Sequence, residues 1–221
     1  MAAGSFVPSL NLYHLPKTLN MKKLIASLIF FSTVSFSLSS TANAQAIWLG
    51  TKVGLNLATL NGQDVGGPVI LPSANAGMLV QFALSDRFSL QPEVQYSLQG
   101  ADQHTVGGGQ QFTLHLDYVN IPVLVKYILP IGLFFETGPQ LGLLVSAKDD
   151  YQGGSVNVKD ELKSTDFSWL FGAGYTFFSG LGVDTRFNPG LINLLKNSTA
   201  GVSARNTVLQ IDLFYMIRLS R

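Results

Sequence analysis

Apolar side chains recur at every second position over most of the chain from residue 46 onward. This alternation is typical of β-strands that have one apolar and one polar face. Between residues 87 and 99 the apolar face consists of Phe88, Leu90, Pro92, Val94, Tyr96 and Leu98. The polar face of the same segment consists of Arg87, Ser89, Gln91, Glu93, Gln95, Ser97 and Gln99. A pattern of this kind predicts an all-β fold.

The spacing of the alternating segments predicts how they are connected. Eight segments show the pattern, at residues 46–58, 74–85, 87–99, 112–128, 132–146, 165–178, 181–189 and 205–219. Short connections at 85–87, 129–132 and 178–180 alternate with long ones at 59–73, 100–111, 147–164 and 190–204. Short periplasmic turns and long outward loops are typical of membrane barrels. We therefore predict an eight-stranded antiparallel up-and-down transmembrane β-barrel.

The direction of the apolar face distinguishes a membrane barrel from a soluble one. Charged residues make up 12% of the chain, about half the roughly 25% usual in soluble domains. A soluble lipocalin-like barrel would turn its apolar face inward, whereas a membrane barrel turns it toward lipid. An apolar surface of this size would not be tolerated in water. The composition therefore favours lipid on the outside and polar side chains in the lumen.

The polar faces of six strands carry charges of both signs in equal number. These residues are Lys52, Glu93, Lys126, Glu136, Asp184, Arg186, Asp212 and Arg218. An eight-stranded barrel has an interior just wide enough to be filled by side chains. Unpaired charges in such a space would be costly. We predict that these eight residues form a structural ion network in the lumen.

Three local features add detail or depart from the simple pattern. Aromatic residues near the strand ends predict two interfacial girdles. The girdle at the short turns would contain Phe82, Phe88, Tyr127, Phe177 and Phe178. The girdle at the long loops would contain Tyr96, Tyr118, Phe167 and Trp169.

In segment 112–128 the apolar positions change from even to odd numbers. A β-bulge or an extension above the membrane would each account for this change. Trp48 has the wrong parity for its strand.

The N-terminal region predicts export. Lys22 and Lys23 precede an apolar stretch at 24–38, and Ala42-Asn43-Ala44 forms a small-residue cleavage site. These are the parts of a secretory signal peptide. The predicted organisation is an upstream extension at 1–20, a signal peptide at 21–44 and a barrel at 45–221, located in the outer membrane of a Gram-negative bacterium.

Three sequence stretches resemble a known family. The segment Tyr118-Val119-Asn120-Ile121-Pro122-Val123-Leu124-Val125-Lys126-Tyr127 resembles the signature strand of the PorT-like outer-membrane β-barrel family. Gly172-Ala173-Gly174-Tyr175 and the stretch from Asp184 to Asn193 are similar to further family motifs. Asn120 departs from the family, which often has Glu there. The resemblance implies an outer-membrane barrel and implies little about biochemical activity.

No catalytic, cofactor or metal site is predicted. Cysteine is absent, which excludes thiol catalysis and cysteine-bound metal. His104 and His115 lie near Asp102 and Asp117, but no motif marks a serine nucleophile among the many serines. The net charge of +1 provides no basic surface for nucleic acid.

Three functions are compatible with these observations. The first is a structural or interaction barrel, not an enzyme, surrounded by outer-membrane lipid and with a protein or glycan partner at four extracellular loops. The second is a lipid-modifying enzyme on the same barrel, and the third is a soluble lipocalin-like binding protein. The sequence does not indicate the oligomeric state.

Overall fold

The computed structural model describes residues 46–61, 69–104, 111–151, 154–196 and 203–219. The predicted upstream extension and signal peptide lie outside these residues. Among the residues described, no helix is long and apolar enough to cross a membrane.

The described residues form nine strands. Their bounds are β1 Ile47–Asn61, β2 Leu71–Ala83, β3 Phe88–His104, β4 Gln111–Ile128, β5 Leu133–Tyr151, β6 Gly154–Asn157, β7 Thr165–Thr176, β8 Leu181–Pro189 and β9 Arg205–Arg218. All pairings between them are antiparallel. The sheet order is β4-β3-β2-β1-β9-β8-β7-β5, and an additional pairing between β4 and β5 closes it. The predicted eight-stranded antiparallel barrel is confirmed.

The ninth strand lies where the sequence predicts a long loop. Strand β5 continues to Tyr151, and β6 pairs with its last four residues, Lys148 to Tyr151. A single 3-10 turn follows at Lys159–Glu161. The predicted long connection over 147–164 therefore contains the end of β5, a short strand and a 3-10 turn. We call the end of the barrel with these long connections the loop rim and the opposite end the turn rim.

Side-chain exposure shows which face is inside. Glu93, Lys126 and Asp212 are only 2%, 1% and 2% exposed. Their apolar sequence neighbours Val94 and Leu213 are 55% and 47% exposed. The barrel therefore has a polar interior and an apolar exterior, which is the arrangement of a membrane barrel. This contradicts the lipocalin-like alternative, because such a protein would have the opposite polarity.

The change of apolar parity in β4 does not reflect a change of face. Leu116, Tyr118 and Leu124 are all buried, so even-numbered side chains of β4 point inward on both sides of the parity change. The irregularity lies on β5. Asp117 of β4 pairs with Ser146 of β5, but the next β4 residue, Tyr118, pairs with Leu144. The extra residue Val145 shifts the phase of β5. The parity of β4 changes because the lumen itself becomes apolar near the loop rim.

An apolar cluster closes the lumen at the loop rim. Its buried members are Leu60, Ala101, Leu116, Tyr118, Leu144, Ala147, Leu162 and Leu194. Leu162 and Leu194 come from two connections that fold inward and are joined by a bridge between Leu162 and Leu195. The backbone N–H of Lys163 also donates to the carbonyl of Leu194 at 2.7 Å. These two connections therefore form a lid over the lumen.

A second apolar cluster closes the lumen at the turn rim. It consists of Leu79, Phe134, Phe214 and Met216, with Trp48 and Ile128 packed against it. The rings of Phe134 and Phe214 lie 6.0 Å apart. Trp48 has inward parity because it contributes to this cluster, which accounts for its position in the sequence pattern.

Gly182 provides the space that the Phe214 ring occupies. A Cβ atom at Gly182 would overlap the ring of Phe214 and lie 2.7 Å from the carbonyl oxygen of Tyr175. We expect Gly182→Ala to destabilise the barrel by about 1–3 kcal/mol through overpacking. Urea unfolding in lipid vesicles measures this change. Addition of Phe214→Leu should restore part of the loss, whereas Gly154→Ala, at an open position, should be neutral.

Candidate functional site: a buried ion network

Arg186 on β8 is the most highly connected charge in the lumen. Its Nη1 and Nη2 atoms donate to the two carboxylate oxygens of Glu93 at 2.9 and 2.7 Å. Its Nε atom donates to Glu136 Oε1 at 2.6 Å and lies 3.2 Å from Asp184 Oδ1. Arg186 itself is fully buried. A bidentate guanidinium–carboxylate pair of this kind combines strength with a fixed geometry.

Lys52 on β1 is the second centre of the network. Its Nζ atom lies 3.1 Å from Asp184 Oδ2, 3.0 Å from Asp212 Oδ2 and 3.8 Å from Glu93 Oε2. The strand register explains this convergence, because Asp184 and Asp212 are directly paired across β8 and β9. The ammonium group of Lys52 therefore forms ion pairs with three carboxylates.

Lys126 on β4 joins the network to the apolar cluster at the turn rim. Its Nζ atom lies 3.6 Å from Glu136 Oε2 and donates to Gln91 Oε1 at 3.1 Å. The same atom is 3.5 Å from the centroid of the Phe134 ring. A cation over an aromatic face is electrostatically favourable. The network therefore extends from the middle of the lumen to the turn-rim cluster.

Arg218, the eighth residue that the sequence predicts for the network, is not among the ion pairs described within it. It is the last residue of β9, is exposed, and its guanidinium carbon lies 5.5 Å from the centroid of the Trp48 ring. Its parity is inward, but its position along the strand places it at the turn rim. The structure thus brings together seven of the eight predicted residues: Lys52, Glu93, Lys126, Glu136, Asp184, Arg186 and Asp212.

Buried amides surround the charges. Asn75 Nδ2 donates to Asp212 Oδ1 at 2.9 Å and to Asn56 Oδ1 at 2.8 Å. Gln210 also donates to Asn56, at 3.0 Å. Gln91 and Gln95 both donate to the Glu93 carboxylate. Asn75 satisfies the Asp212 oxygen that no described cation contacts, whereas Gln91 and Gln95 add to the contacts that Arg186 already makes with Glu93. A buried ionic network requires such additional hydrogen bonds.

A family model describes much of this chain. The model of the outer membrane protein β-barrel domain matches residues 41–196. The chain belongs to the outer membrane protein β-barrel domain family. Membership in this family implies location in the outer membrane. No curated protein matches the sequence.

Solved structures of outer-membrane barrels share the fold of this family member at low sequence identity. Neisserial surface protein A is 11% identical over 76% of this chain and 96% of its own, with a TM-score of 0.51. Ail, the attachment invasion locus protein of Yersinia pestis, is 10% identical over 77% and 98% of the two chains, with a TM-score of 0.44. The E. coli outer membrane protein W is 12% identical over 80% and 100%, with a TM-score of 0.38.

The histidine and aspartate candidates whose side chains are described do not form one site. His115 Nε2 lies 3.4 Å from Asp150 Oδ2, and both side chains are about half exposed. Asp102 accepts a hydrogen bond from Thr113, and Asp117 accepts one from Tyr96. The side chain of His104 lies outside the described residues. Within the described part of the chain, no group of three His, Asp or Glu residues could hold a metal ion.

The aromatic residues of the two predicted girdles lie on the outer wall near the rims, with the exception of Tyr118. Phe88 and Tyr127 pack near the turn rim with ring centroids 5.1 Å apart. Arg87 donates to the hydroxyl of Tyr127 at 3.0 Å, and this hydrogen bond raises the pKa of the Arg87 guanidinium. The sequence predicts Tyr118 in the girdle at the long loops, but it is 1% exposed and points into the lumen. That prediction is wrong because even-numbered β4 residues face inward.

Sequence reasoning missed a buried acid near the loop rim. Asp166 on β7 is 7% exposed, and its Oδ1 atom has no hydrogen-bond partner among the described groups. It lies beside Tyr118 and Asn120, and all three side chains pack closely around Gly142. Asp166 lies at the start of the predicted strand 165–178, where the alternating pattern does not show whether a residue faces the lumen or belongs to a loop. Its position on the polar face of that strand is the one sequence feature that indicates burial in the lumen.

Proposed function

We propose that this protein is an outer-membrane barrel of the structural or interaction type, which acts through the surface at its loop rim. The resemblance of Tyr118–Tyr127 to the PorT-like signature strand supports a role in the outer membrane. A protein or glycan is the partner expected at the long connections.

Closure of the lumen is the observation that carries this proposal. The ion network occupies the middle of the barrel, and an apolar cluster lies on each side of it. Eight strands leave little open bore even without such packing. A barrel filled in this way does not provide a path for solutes, so its contacts with other molecules lie on its outer surfaces.

The outer wall near the loop rim provides a polar surface for such contacts. Strands β3, β4 and β5 continue beyond the apolar part of the wall. There they present His115 with Asp150, and Asp102 with Thr113. All four residues of β6 are exposed. Because lipid-facing positions of a membrane barrel are apolar, this polar extension lies outside the hydrocarbon region.

Single cysteines can test which rim faces outward, because the native chain contains none. Ser155 on β6 and Ser179 in the β7–β8 turn are both exposed. A membrane-impermeant maleimide should label Ser155→Cys on intact cells and Ser179→Cys only after permeabilisation. The reverse result would contradict the proposed orientation. Recovery of the wild-type protein in the soluble periplasmic fraction would contradict the membrane location.

We expect the purified barrel to show no steady conductance in planar bilayers. The physical reason is that charged and apolar side chains fill the lumen from one rim to the other. A wide porin of known conductance, inserted under the same conditions, serves as the control for insertion. A steady conductance from the wild-type protein would show that the lumen opens in a membrane and would contradict the closed-barrel proposal.

Lipid analysis distinguishes the interaction function from the lipid-modifying alternative. A lipid A mass spectrum from cells with and without the gene should show no difference. A modification that depends on the gene would assign an enzymatic activity and contradict the proposal.

A further inference from the structure

The ion network has unequal numbers of acids and bases. Among the described residues, the network contains three cations, Lys52, Lys126 and Arg186. It also contains four carboxyl groups, those of Glu93, Glu136, Asp184 and Asp212. Each of these seven residues is at most 4% exposed. With all seven groups ionised the network would carry one excess negative charge. An uncompensated charge enclosed between two apolar clusters is strongly unfavourable.

The four carboxyl groups do not share the cations equally. Glu93 holds Arg186 through two hydrogen bonds, and Glu136 contacts both Arg186 and Lys126. Asp184 contacts Lys52 and also lies 3.2 Å from Arg186 Nε. For Asp212 the only cation contact in the described network is Lys52, which it shares with Asp184 and Glu93.

The excess charge is therefore concentrated on one pair of acids. Asp184 and Asp212 lie opposite each other on β8 and β9, and both reach Lys52 Nζ, at 3.1 and 3.0 Å. Asp212 Oδ2 has no hydrogen-bond partner with acceptable geometry among the described groups. Two carboxylates that share one site do not both ionise readily, and such a pair retains a single proton.

We propose that the Asp184–Asp212 pair is a binding site for one proton, which the barrel takes up from solvent as it folds. The proton makes the network neutral, with three cations and three carboxylates. The groups that face the pair inside the lumen are Lys52 on β1, Asn75 on β2, Glu93 on β3, and Arg186 on β8, the strand of Asp184 itself. Lys126 and Glu136 complete the charge balance from β4 and β5.

Infrared spectroscopy of the barrel in lipid vesicles can detect this proton directly. A protonated carboxyl group has a carbonyl stretch that is separate from the carboxylate bands and shifts in D₂O. All variants would carry Asp166→Asn, so that the buried acid near the loop rim does not contribute. At neutral pH this background should show the band, and addition of either Asp212→Asn or Asp184→Asn should remove it. Lys52→Met should strengthen it, because two protons are then needed.

The pH dependence of stability gives an independent measurement. The folded state binds one proton more than the unfolded state, in which exposed aspartates are ionised. The equilibrium constant for unfolding should therefore rise about tenfold per pH unit around neutrality, relative to a protein without this proton. Asp212→Asn should remove this component of the slope. Asn188→Ser, which changes a buried lumen residue without changing charge, should keep it.

Three results would overturn the proposal. The first is absence of the carbonyl band at neutral pH in the Asp166→Asn background. The second is an equal pH dependence of unfolding in the parent and in both asparagine variants. The third is stabilisation by Na⁺ over choline at equal ionic strength that is lost in Asp212→Asn, because a metal cation would then balance the charge. The use of two asparagine variants keeps the test decisive if one of them does not fold.

Discussion

Arg186→Leu should be the most damaging single substitution in the lumen. It removes both hydrogen bonds to the Glu93 carboxylate and the contact with Glu136. Removing one partner of a buried ion pair costs about 3–5 kcal/mol, because the other charge is left buried and unpaired. The free energy of unfolding in urea, measured in lipid vesicles, should fall by this amount.

Two further variants separate loss of pairing from loss of packing. The double variant Arg186→Leu with Glu93→Leu removes the best-paired cation and acid together, and it should recover part of the lost stability. Arg87→Leu removes an exposed arginine at the turn rim and should have little effect. An unchanged urea midpoint for Arg186→Leu would show that Arg186 does not belong to an enclosed network.

Leu213→Arg should produce the largest loss on the outer wall. Leu213 is 47% exposed and adjoins Asp212, so it lies at the level of the ion network. An arginine on the lipid face near the bilayer midplane costs about 2–4 kcal/mol. We therefore expect less stable barrels and a smaller fraction of correctly inserted protein, measured by urea unfolding and by heat-sensitive mobility in gels.

A depth control makes this prediction specific to the membrane. Phe178 is fully exposed in the turn between β7 and β8. Because the cost of a lipid-facing charge falls to about 0–1 kcal/mol near the interface, Phe178→Arg should be nearly neutral. Equal effects of the two substitutions would contradict the position of the membrane along the barrel axis.

The sequence alone is sufficient to predict the number of barrel strands and the face of the barrel wall on which most side chains lie. The period-two pattern alternates with the pleat, so it assigns Glu93 and Val94 to opposite faces. The balance of apolar and charged residues then decides that the polar face points inward. These assignments depend on local backbone geometry and on composition, and both can be read from a single chain.

Position along the barrel axis cannot be read in the same way. Arg218 and Arg186 have the same inward parity, but only Arg186 lies at the level of the acids, because strand register sets the height of each residue. The sequence pattern assigns Tyr118 to the outer girdle because the apolar section of the lumen near the loop rim has no clear sequence signal.

The lid and the distribution of charges are also decided by the tertiary structure. Leu162 and Leu194 lie in connections that the sequence describes only as polar loops, and their burial depends on a long-range bridge. The sharing of Lys52 by Asp184 and Asp212 requires three strands to converge at one height. Alternation specifies which side of the wall a residue faces, whereas barrel closure and register determine which side chains meet across the lumen.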